Sequence, residues 1–288
     1  MRSAEGTAED DAADITVLAL DHPGAQDPAY RRRRDTIAAL ARRARADGGD
    51  PPQLTYLAEE QATWRVILER LAEQHARHAS RSYLECRRRL GIAGGGIPSL
   101  AGISEALARQ QGFRLVPIPG LIPTRPFLAE LGRRRMPCTL YIRHASRPEY
   151  TPEPDVVHEV VGHVPMFADA DFAALSERLG RAAAVASDGQ IALLDRLYWF
   201  TLEFGLVEED GELRAYGAGL LSSFGELPHA FGSEVERRPF VAEQAVATPY
   251  DYTRMQPVLY VVPSMAFLRQ AIEEFLDGAL YRGAAARP

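Results

Sequence analysis

The chain has 288 residues, of which 46% are apolar and 25% charged, a composition typical of a globular protein with a packed core. Its formal net charge of -6 argues against a nucleic-acid partner. No apolar run reaches the roughly 18 residues of a membrane span, so we expect no association with a membrane. Because the chain has only two cysteines, a disulfide framework and a cysteine-based zinc site are excluded, which favours a reducing cytoplasm.

The N-terminal segment differs from the rest of the chain in composition. Residues 1–18 are acidic, poor in large apolar side chains and without periodicity, so we predict a disordered tail there and a single domain over residues 19–288. This start also lacks the basic and apolar regions of a signal peptide, which again indicates the cytoplasm. Ordered structure is expected to begin near the turn Asp21-His22-Pro23-Gly24.

Helical periodicity dominates the first third of the chain. It predicts helical blocks over residues 28–46, 57–90 and 99–111, the second of them closed by Gly94-Gly95-Gly96 and Pro98. Residues 113–122 and 138–142 are rich in β-formers and predict short strands and loops.

Helical patterns return in the second half, at residues 155–161, 169–185, 191–207 and 264–276. Between the last two, Asp210-Gly211 is flanked by apolar residues and predicts a hairpin, because Asp-Gly adopts the positive φ that two-residue loops prefer. The predicted fold class is therefore mainly α with a small β element.

Two histidines five residues apart, His158 and His163, form the most informative motif. On an unbroken α-helix this spacing separates side chains by roughly 140°, unlike the four-residue spacing of an HExxH helix. We expect Gly162, as a helix-ending residue followed by Pro165, to fold His163 back toward His158. The pair would then suit a metal ion.

A carboxylate to complete such a site stands in the apolar segment around Glu203. Burying an unpaired carboxylate is costly, so a cation partner is expected. Two imidazoles and one carboxylate are typical both of non-haem iron oxygenases and of hydrolytic zinc sites, and the residues alone leave both open. A coincidental histidine pair without a metal is the remaining alternative.

Longer stretches of the chain resemble the pterin-dependent aromatic amino acid hydroxylases, the family of phenylalanine, tyrosine and tryptophan hydroxylases. The resemblance covers roughly residues 20–275, nearly all of the family's catalytic domain. The matching stretches are Tyr141 to Ser146, Tyr150 to Asp155, His158-Glu159, Gly162 to Pro165, Tyr198 to Leu206 and Ala215 to Glu226. The resemblance implies the family's helical basket around a non-haem iron, in a form most like a bacterial phenylalanine hydroxylase.

The resemblance also implies roles for individual residues. It makes His158, His163 and Glu203 the iron ligands and hence the catalytic centre. The residues that match pterin-binding positions are Gly120, Leu121, Ile122, Phe127, Glu159 and Tyr198. Without the family, Phe127 would be interpreted as a core residue and Glu159 as a solvated acid on a helix.

The amino-acid substrate has its own set of matching positions. The resemblance gives Arg143 as the partner of the substrate carboxylate, a role that suits a planar guanidinium. Thr151 and Ser222 match positions at the same end of the substrate, and Trp199 matches an aromatic wall. Without the family, Arg143 would be interpreted as a surface residue and Trp199 as core.

The implied activity is that of a monooxygenase using Fe(II), a tetrahydropterin such as tetrahydrobiopterin, and O2 as co-substrate, converting L-phenylalanine to L-tyrosine. Trp199 disfavours tryptophan, because the tryptophan enzymes tend to carry phenylalanine there. The tyrosine enzymes bear an aspartate before the Gln-Pro pair, where this chain has Tyr252 with Asp251 beside it. Phenylalanine 3-hydroxylation to meta-tyrosine and tryptophan 5-hydroxylation remain as alternatives, as do a zinc hydrolase with Glu159 as base and a binding protein without catalysis.

Two departures from the family carry further expectations. Asp195 stands where family members often have a small residue near the pterin, and residues 181–190 lose the usual Leu-Gly-rich pattern. The family's tetramerisation helix has no counterpart, so we expect a monomer or dimer.

Overall fold

In a computed structural model of the chain, residues 18, 22–92, 95–149, 151 and 153–281 are described. The predicted tail, apart from Leu18, lies outside the described residues, as do Asp21, Gly94, Tyr150 and Pro152. The tail and the single-domain division therefore stay predictions.

The described residues are mainly helical, which confirms the predicted fold class. The α-helices are α1 (Pro28–Ala46), α2 (Ala58–His78), α3 (Arg81–Arg89), α4 (Leu100–Gln111), α5 (Thr124–Leu131), α6 (Val164–Met166), α7 (Ala170–Val185), α8 (Asp188–Tyr198), α9 (Ala218–Leu221), α10 (Glu226–Ala230), α11 (Ala242–Ala247) and α12 (Met265–Tyr281). Two π-helical segments span His158–His163 and Trp199–Glu203. The strands are β1 (Arg114–Ile118), β2 (Arg135–Thr139), β3 (Leu206–Glu209), β4 (Glu212–Ala215), β5 (Glu236–Pro239) and β6 (Val258–Val262).

Capping residues explain why several predicted helices have the expected bounds. Asp27 caps α1 by accepting from the backbone N–H groups of Ala29 and Tyr30. Ser99 caps the start of α4, and Gly112, in the left-handed region at φ 72°, ends it. These side chains satisfy the backbone groups that a helix end leaves without partners.

The helical block predicted over residues 57–90 is wrong as one continuous unit, because the chain breaks between α2 and α3. Ala79 is extended (ψ 147°) and forms a bridge with Ala215 at the end of β4. Ser80 then donates its N–H to the Ala215 carbonyl, and its hydroxyl accepts from the N–H of Tyr83 to start α3. Pairing with the strand therefore overrides helical periodicity at this point.

The β-like middle of the chain forms two parallel strands with a helix between them. β1 pairs with β2 in the register Arg114↔Arg135 to Ile118↔Thr139, so the second strand ends before the predicted 138–142 segment does. The intervening α5 was not predicted. It provides the crossover that parallel strands require.

The second sheet has the strand order β4-β3-β6-β5. β3 and β4 form the predicted hairpin, with Asp210 at φ 53° and Gly211 at φ 79° in its two-residue loop. β6 runs parallel to both β3 and β5. The hairpin thus leads directly out of the second π-helical segment and fixes its end against the sheet.

Large aromatic side chains fill the interior. Those that are fully buried include Trp64, Tyr83, Tyr141, Tyr216, Tyr260, Phe113, Phe167, Phe172 and Phe200. No helix within the described residues combines the length and apolar character needed to cross a membrane.

Candidate active site

His158 and His163 lie at the two ends of the first π-helical segment. The expectation that the helix ends at Gly162 is wrong: the helix widens instead, and the N–H of Val164 donates to the carbonyl of Glu159, five residues back. In a π-helix, residues five apart occupy the same face, as residues four apart do in an α-helix. The widened turn therefore brings the two imidazoles together.

Gly162 serves a close approach between backbones. A Cβ atom there would lie 2.6 Å from the carbonyl oxygen of Ala218, at the start of α9. Such a contact is too short for any side chain, so only glycine lets α9 pack against the first π-helical segment.

Gly162→Ala is expected to lower the free energy of unfolding by about 1–3 kcal/mol and to weaken metal binding, because α9 must move away from the π-helical segment. Urea unfolding and metal titration measure the two effects. Gly189→Ala is the matched control, since a Cβ at Gly189 meets nothing within 4 Å. A Gly162→Ala protein as stable and as metal-competent as the control would contradict this role.

The second π-helical segment brings in the carboxylate. The N–H of Phe204 donates to the Trp199 carbonyl at 2.9 Å, and Glu203 ends the segment. Ligand atoms of His158, His163 and Glu203 all lie within 4.8 Å of one another. The three residues that were predicted as ligands are therefore brought together by two π-helical segments.

The distances fit one metal ion. The Nε2 atoms of His158 and His163 are 3.0 Å apart, and two nitrogens bound to one ion at right angles with bonds of about 2.1 Å would be separated by about 3.0 Å. The Glu203 oxygens lie 3.3 Å from Nε2 of His158 and 3.1 Å from Nε2 of His163. The donor set is compatible with iron or zinc.

Burial and charge set the protonation of this cluster. Burial, with a contribution from His163, lowers the pKa of His158 to about 4 and so keeps its ring neutral. Burial would raise the pKa of Glu203, but the two imidazoles outweigh that effect and lower it. The Glu203 carboxylate raises the pKa of His163 against the effect of burial, so metal binding would displace a proton from that ring. Neutral imidazoles and an ionised carboxylate are the forms that bind a metal ion.

The other ring nitrogens contact hydroxyl groups on neighbouring elements. Nδ1 of His158 lies 3.1 Å from Oγ of Ser222, and Nδ1 of His163 lies 3.4 Å from the hydroxyl of Tyr198. Hydrogen bonds of this kind fix the ring orientation of metal-binding histidines. Ser222, predicted for the substrate, therefore also touches the candidate metal centre.

The predicted pterin residues lie on separate elements, and of these Tyr198 contacts the cluster through His163. The Phe127 ring packs edge-on against Tyr198, with ring centroids 5.3 Å apart, and Gly120, Leu121 and Ile122 form the loop before α5. Glu159 is buried, not a solvated acid, and accepts from the N–H and hydroxyl of Thr139 at 3.3 and 3.2 Å. Burial raises the pKa of Glu159 to about 7.

Arg143 is buried and held by Asp155, a partner that sequence reasoning missed. Nε and Nη2 of Arg143 each donate to a different oxygen of Asp155, both at 2.9 Å, while Nη1 donates to the carbonyl of Pro148 at 3.3 Å. The available signal was an acidic residue, Asp155, three residues before His158. Thr151, also predicted for the substrate, donates to the Glu153 carbonyl at 2.6 Å.

Trp199 is half-buried and held from two sides. Its ring stacks on Tyr250 at a centroid distance of 4.2 Å and an angle of 13°. Its indole N–H donates to Oε1 of the buried Gln256 at 3.1 Å, and Nε2 of Gln256 donates to the carbonyls of Asp251 and Arg254. Tyr250 was not identified from the sequence. Gln256 was used only to locate the Gln-Pro pair, although the proline after it indicates a loop.

Glu226 is a half-buried acid near this loop, with a buried Oε2 that lacks a hydrogen-bond partner among the described residues. Burial raises its pKa to about 7, above its ordinary value of 4.5, so its contribution to stability is full below pH 4.5 and lost as the pH rises through 7. We expect Glu226→Gln to raise the free energy of unfolding by up to about 2 kcal/mol at pH 8 and much less at pH 5. Urea unfolding at both pH values measures the effect, with Glu234→Gln at an exposed position as the control. Equal increases in the free energy of unfolding at pH 5 and pH 8 would contradict this prediction.

The chain is similar in sequence to proteins of one known family. The sequence pattern of the family described as biopterin-dependent aromatic amino acid hydroxylase matches residues 12–282. Tyrosine 3-monooxygenase of Rattus norvegicus is 47% identical over 86% of this chain and 50% of its own length. Phenylalanine-4-hydroxylase of Dictyostelium discoideum is 42% identical over 90% of this chain and 60% of its own length. The chain thus spans about half to three fifths of the length of these two relatives.

Solved structures agree with the fold. Phenylalanine hydroxylase from Chromobacterium violaceum bound to cobalt has a TM-score of 0.77 and 31% identity, covering 86% of this chain and 94% of that one. The same enzyme with bound iron(III) and oxidised 7,8-dihydrobiopterin has a TM-score of 0.74 and 31% identity, covering 86% and 93%. By sequence and by structure, this chain belongs to the biopterin-dependent aromatic amino acid hydroxylases.

Proposed function

We propose that this protein hydroxylates the ring of an aromatic L-amino acid, using O2, a tetrahydropterin as reductant, and Fe(II) held by His158, His163 and Glu203. The observation that carries the proposal is the convergence of these three side chains from two π-helical segments, with ligand atoms within 4.8 Å of one another. Family membership favours iron over zinc for this donor set, and thus a monooxygenase over a hydrolase.

The bound groups would supply the redox chemistry: iron(II) and tetrahydropterin together reduce O2, so that one oxygen atom enters the amino-acid ring and the other leaves with the oxidised pterin. The protein contributes position. His158 and His163 present their Nε2 atoms to one side, and the Ser222 and Tyr198 hydroxyls hold the opposite edges of their rings.

The amino acid would lie between Arg143 and the aromatic wall. Arg143 offers its remaining N–H groups to the substrate carboxylate, while Asp155 holds the guanidinium in place. The Trp199 ring, backed by the stacked Tyr250 ring, would line one side of the substrate ring, and the pterin would lie toward Phe127 and the loop of residues 120–122. Each of these roles is part of the proposal.

We propose L-phenylalanine as the substrate and L-tyrosine as the product. Asp251, the acid nearest the position where tyrosine enzymes carry aspartate, accepts from the N–H and hydroxyl of Thr253 at 2.9 and 2.6 Å and pairs with Arg254 at 3.2 Å. Its carboxylate is therefore engaged within its own loop, while Tyr252 is 75% exposed. This arrangement supports a pocket without a free acid for a phenol.

L-Tyrosine, hydroxylated at ring position 3, is the second candidate. The observation in its favour is sequence identity: 44–47% to the tyrosine 3-monooxygenases of five mammals, against 40–42% to two phenylalanine-4-hydroxylases, although the tyrosine 3-monooxygenase of Schistosoma mansoni is 39% identical. Position 3 of tyrosine and position 4 of phenylalanine are adjacent ring carbons, so a small shift of the bound ring separates the two reactions.

The test is aerobic incubation of the purified protein with Fe(II) and tetrahydrobiopterin and with phenylalanine, tyrosine or tryptophan in separate reactions, with products resolved by chromatography and mass. We expect para-tyrosine, lost when iron or pterin is omitted or when zinc replaces iron. meta-Tyrosine from phenylalanine would overturn the ring position, whereas faster formation of dihydroxyphenylalanine from tyrosine or of hydroxytryptophan from tryptophan would overturn the substrate assignment. No hydroxylated product from iron-loaded protein would overturn the proposed activity.

The cytoplasmic location, the monomeric or dimeric state and the lack of nucleic-acid or membrane partners stay predictions. Light scattering behind a size-exclusion column tests the oligomeric state directly.

A further inference from the structure

Asp195 lies on α8, one turn before Tyr198 and Trp199, and bridges two separate parts of the chain. Its Oδ1 accepts from the hydroxyl of Thr124 at 2.8 Å, and its Oδ2 accepts from the hydroxyl of Tyr250 at 2.5 Å. Both oxygens of one half-buried carboxylate are thus used by hydroxyls from two other elements.

One end of this bridge reaches the residues proposed above to hold the pterin. Thr124 is the first residue of α5 and follows the loop of residues 120–122. One turn further along the same helix, Phe127 packs against Tyr198. A shift of Thr124 therefore moves the loop and the aromatic ring proposed to hold the pterin.

The other end reaches the side assigned to the amino acid. Tyr250 stacks face to face on Trp199 and packs edge-on against Phe200, with ring centroids 4.2 and 6.3 Å apart. Since its hydroxyl is fixed by Asp195, the tilt of the Tyr250 ring, and with it the aromatic wall, depends on where the carboxylate lies.

The hydrogen bonds to Asp195 connect Thr124 and Tyr250 through one carboxylate. A carboxylate only accepts, so both hydroxyls must donate to it, and such charge-assisted bonds are stronger than neutral ones. Burial first, and then the Asp195 carboxylate, raise the pKa of Tyr250, so its hydroxyl keeps the proton that it donates. Displacing the hydroxyl of Thr124 or Tyr250 strains or breaks its hydrogen bond to Asp195. The Asp195 side chain then shifts, which changes the hydrogen bond to the other hydroxyl.

We propose that Asp195 is a positioning residue that couples binding of the pterin to binding of the aromatic amino acid, through the chain Thr124, Asp195, Tyr250 and Trp199. This inference rests on the proposed function, since it assigns the two ends of the bridge to the two organic ligands. Coupling of this kind is reciprocal: each ligand changes the affinity of the other by the same factor.

The test measures the dissociation constant of 7,8-dihydrobiopterin by calorimetry, with and without saturating L-phenylalanine, on iron(II)-loaded protein under nitrogen. In the unmodified protein we expect the amino acid to tighten pterin binding by about fivefold or more. The coupling ratio is the pterin dissociation constant without phenylalanine divided by that with phenylalanine. Asp195→Ala, which puts a small residue there, should bring this ratio close to one. Tyr250→Phe should reduce the ratio while keeping the stack on Trp199. Asp195→Asn, whose amide can still bond both hydroxyls, should retain most of it.

Asp188→Ala is the matched control. Asp188 lies on the same helix and also bridges to α5, through an ion pair with Arg125 at 2.8 Å, but its side chain is fully exposed. The control should keep the unmodified ratio, whereas a general loosening of α5 against α8 would lower it in both variants.

The outcomes separate this inference from the proposed function. A ratio unchanged in Asp195→Ala, or a ratio of one in the unmodified protein, would overturn the coupling while leaving the proposed activity intact. A protein that binds neither ligand would overturn the proposed function and the coupling together. Loss of coupling in Asp195→Ala, its retention in Asp195→Asn and an unchanged control support the inference.

Discussion

Replacing Glu203 with alanine is expected to abolish hydroxylation and metal binding together. Glu203 supplies the only carboxylate within the His158, His163 and Glu203 cluster, and its oxygens lie 3.3 and 3.1 Å from the two imidazole nitrogens. Loss of a residue that merely supports a metal ligand typically costs 10- to 100-fold in affinity or activity, and we expect loss of the ligand itself to exceed about 100-fold. Two histidines alone would also leave the ion without a charge to balance it.

Metal content per chain, measured by mass spectrometry after dialysis, and the rate of amino-acid hydroxylation check this prediction. Glu208→Ala is the matched control, because Glu208 follows in β3 but its side chain is exposed. The control should keep both metal and activity. An alanine variant at Glu203 that retains one iron per chain and full turnover would rule out its assignment as a ligand.

The helices with clear end signals could be predicted almost to the residue. α1 begins at Pro28 after the cap at Asp27, and α4 ends before Gly112, because these signals act within a few residues of chain. The break at Ala79 could not be foreseen in the same way. It depends on pairing with Ala215, more than a hundred residues away in sequence.

The sequence predicted that His158, His163 and Glu203 converge, which the structure shows, but it predicted the wrong local geometry. Histidines five apart suggested a helix end, since α-helical spacing keeps them apart, and Gly162 offered a plausible place for it. Instead, the helix widens, because its hydrogen bonds join residues five apart and not four apart. Glycine is needed at position 162 because α9 packs against the backbone there. Local patterns give no sign of this widening, which depends on packing between distant elements.

The same limit explains the missed partners. Arg143 was identified by resemblance, but the charge that holds it, Asp155, lies twelve residues further on and meets it only in the folded chain. Trp199 was likewise identified without Gln256 and Tyr250, which hold it from a loop fifty residues away. Ligand identity follows from residue type, whereas orientation follows from tertiary contacts that a single sequence does not display.

Arg143→Lys is expected to raise the KM for the amino acid by about 10- to 100-fold, the range for a lost hydrogen bond to a charged group, with a much smaller change in the KM for the pterin. Lysine keeps the positive charge but not the planar fork that serves Asp155 and a substrate carboxylate at once. Alanine would be a poorer probe. It would leave Asp155, which is fully buried, without its charge partner, at a cost of about 3–5 kcal/mol of stability.

Steady-state kinetics with each substrate varied in turn separate the two effects of Arg143→Lys. Arg147→Lys is the matched control, an exposed arginine on the same loop that pairs with Glu149, and it should leave both KM values unchanged. A fall in kcat with an unchanged amino-acid KM would contradict carboxylate binding by Arg143. It would show instead that the guanidinium acts through Asp155, whose Oδ1 accepts from the backbone N–H of His158 at 3.0 Å and so links the loop to the proposed metal ligand.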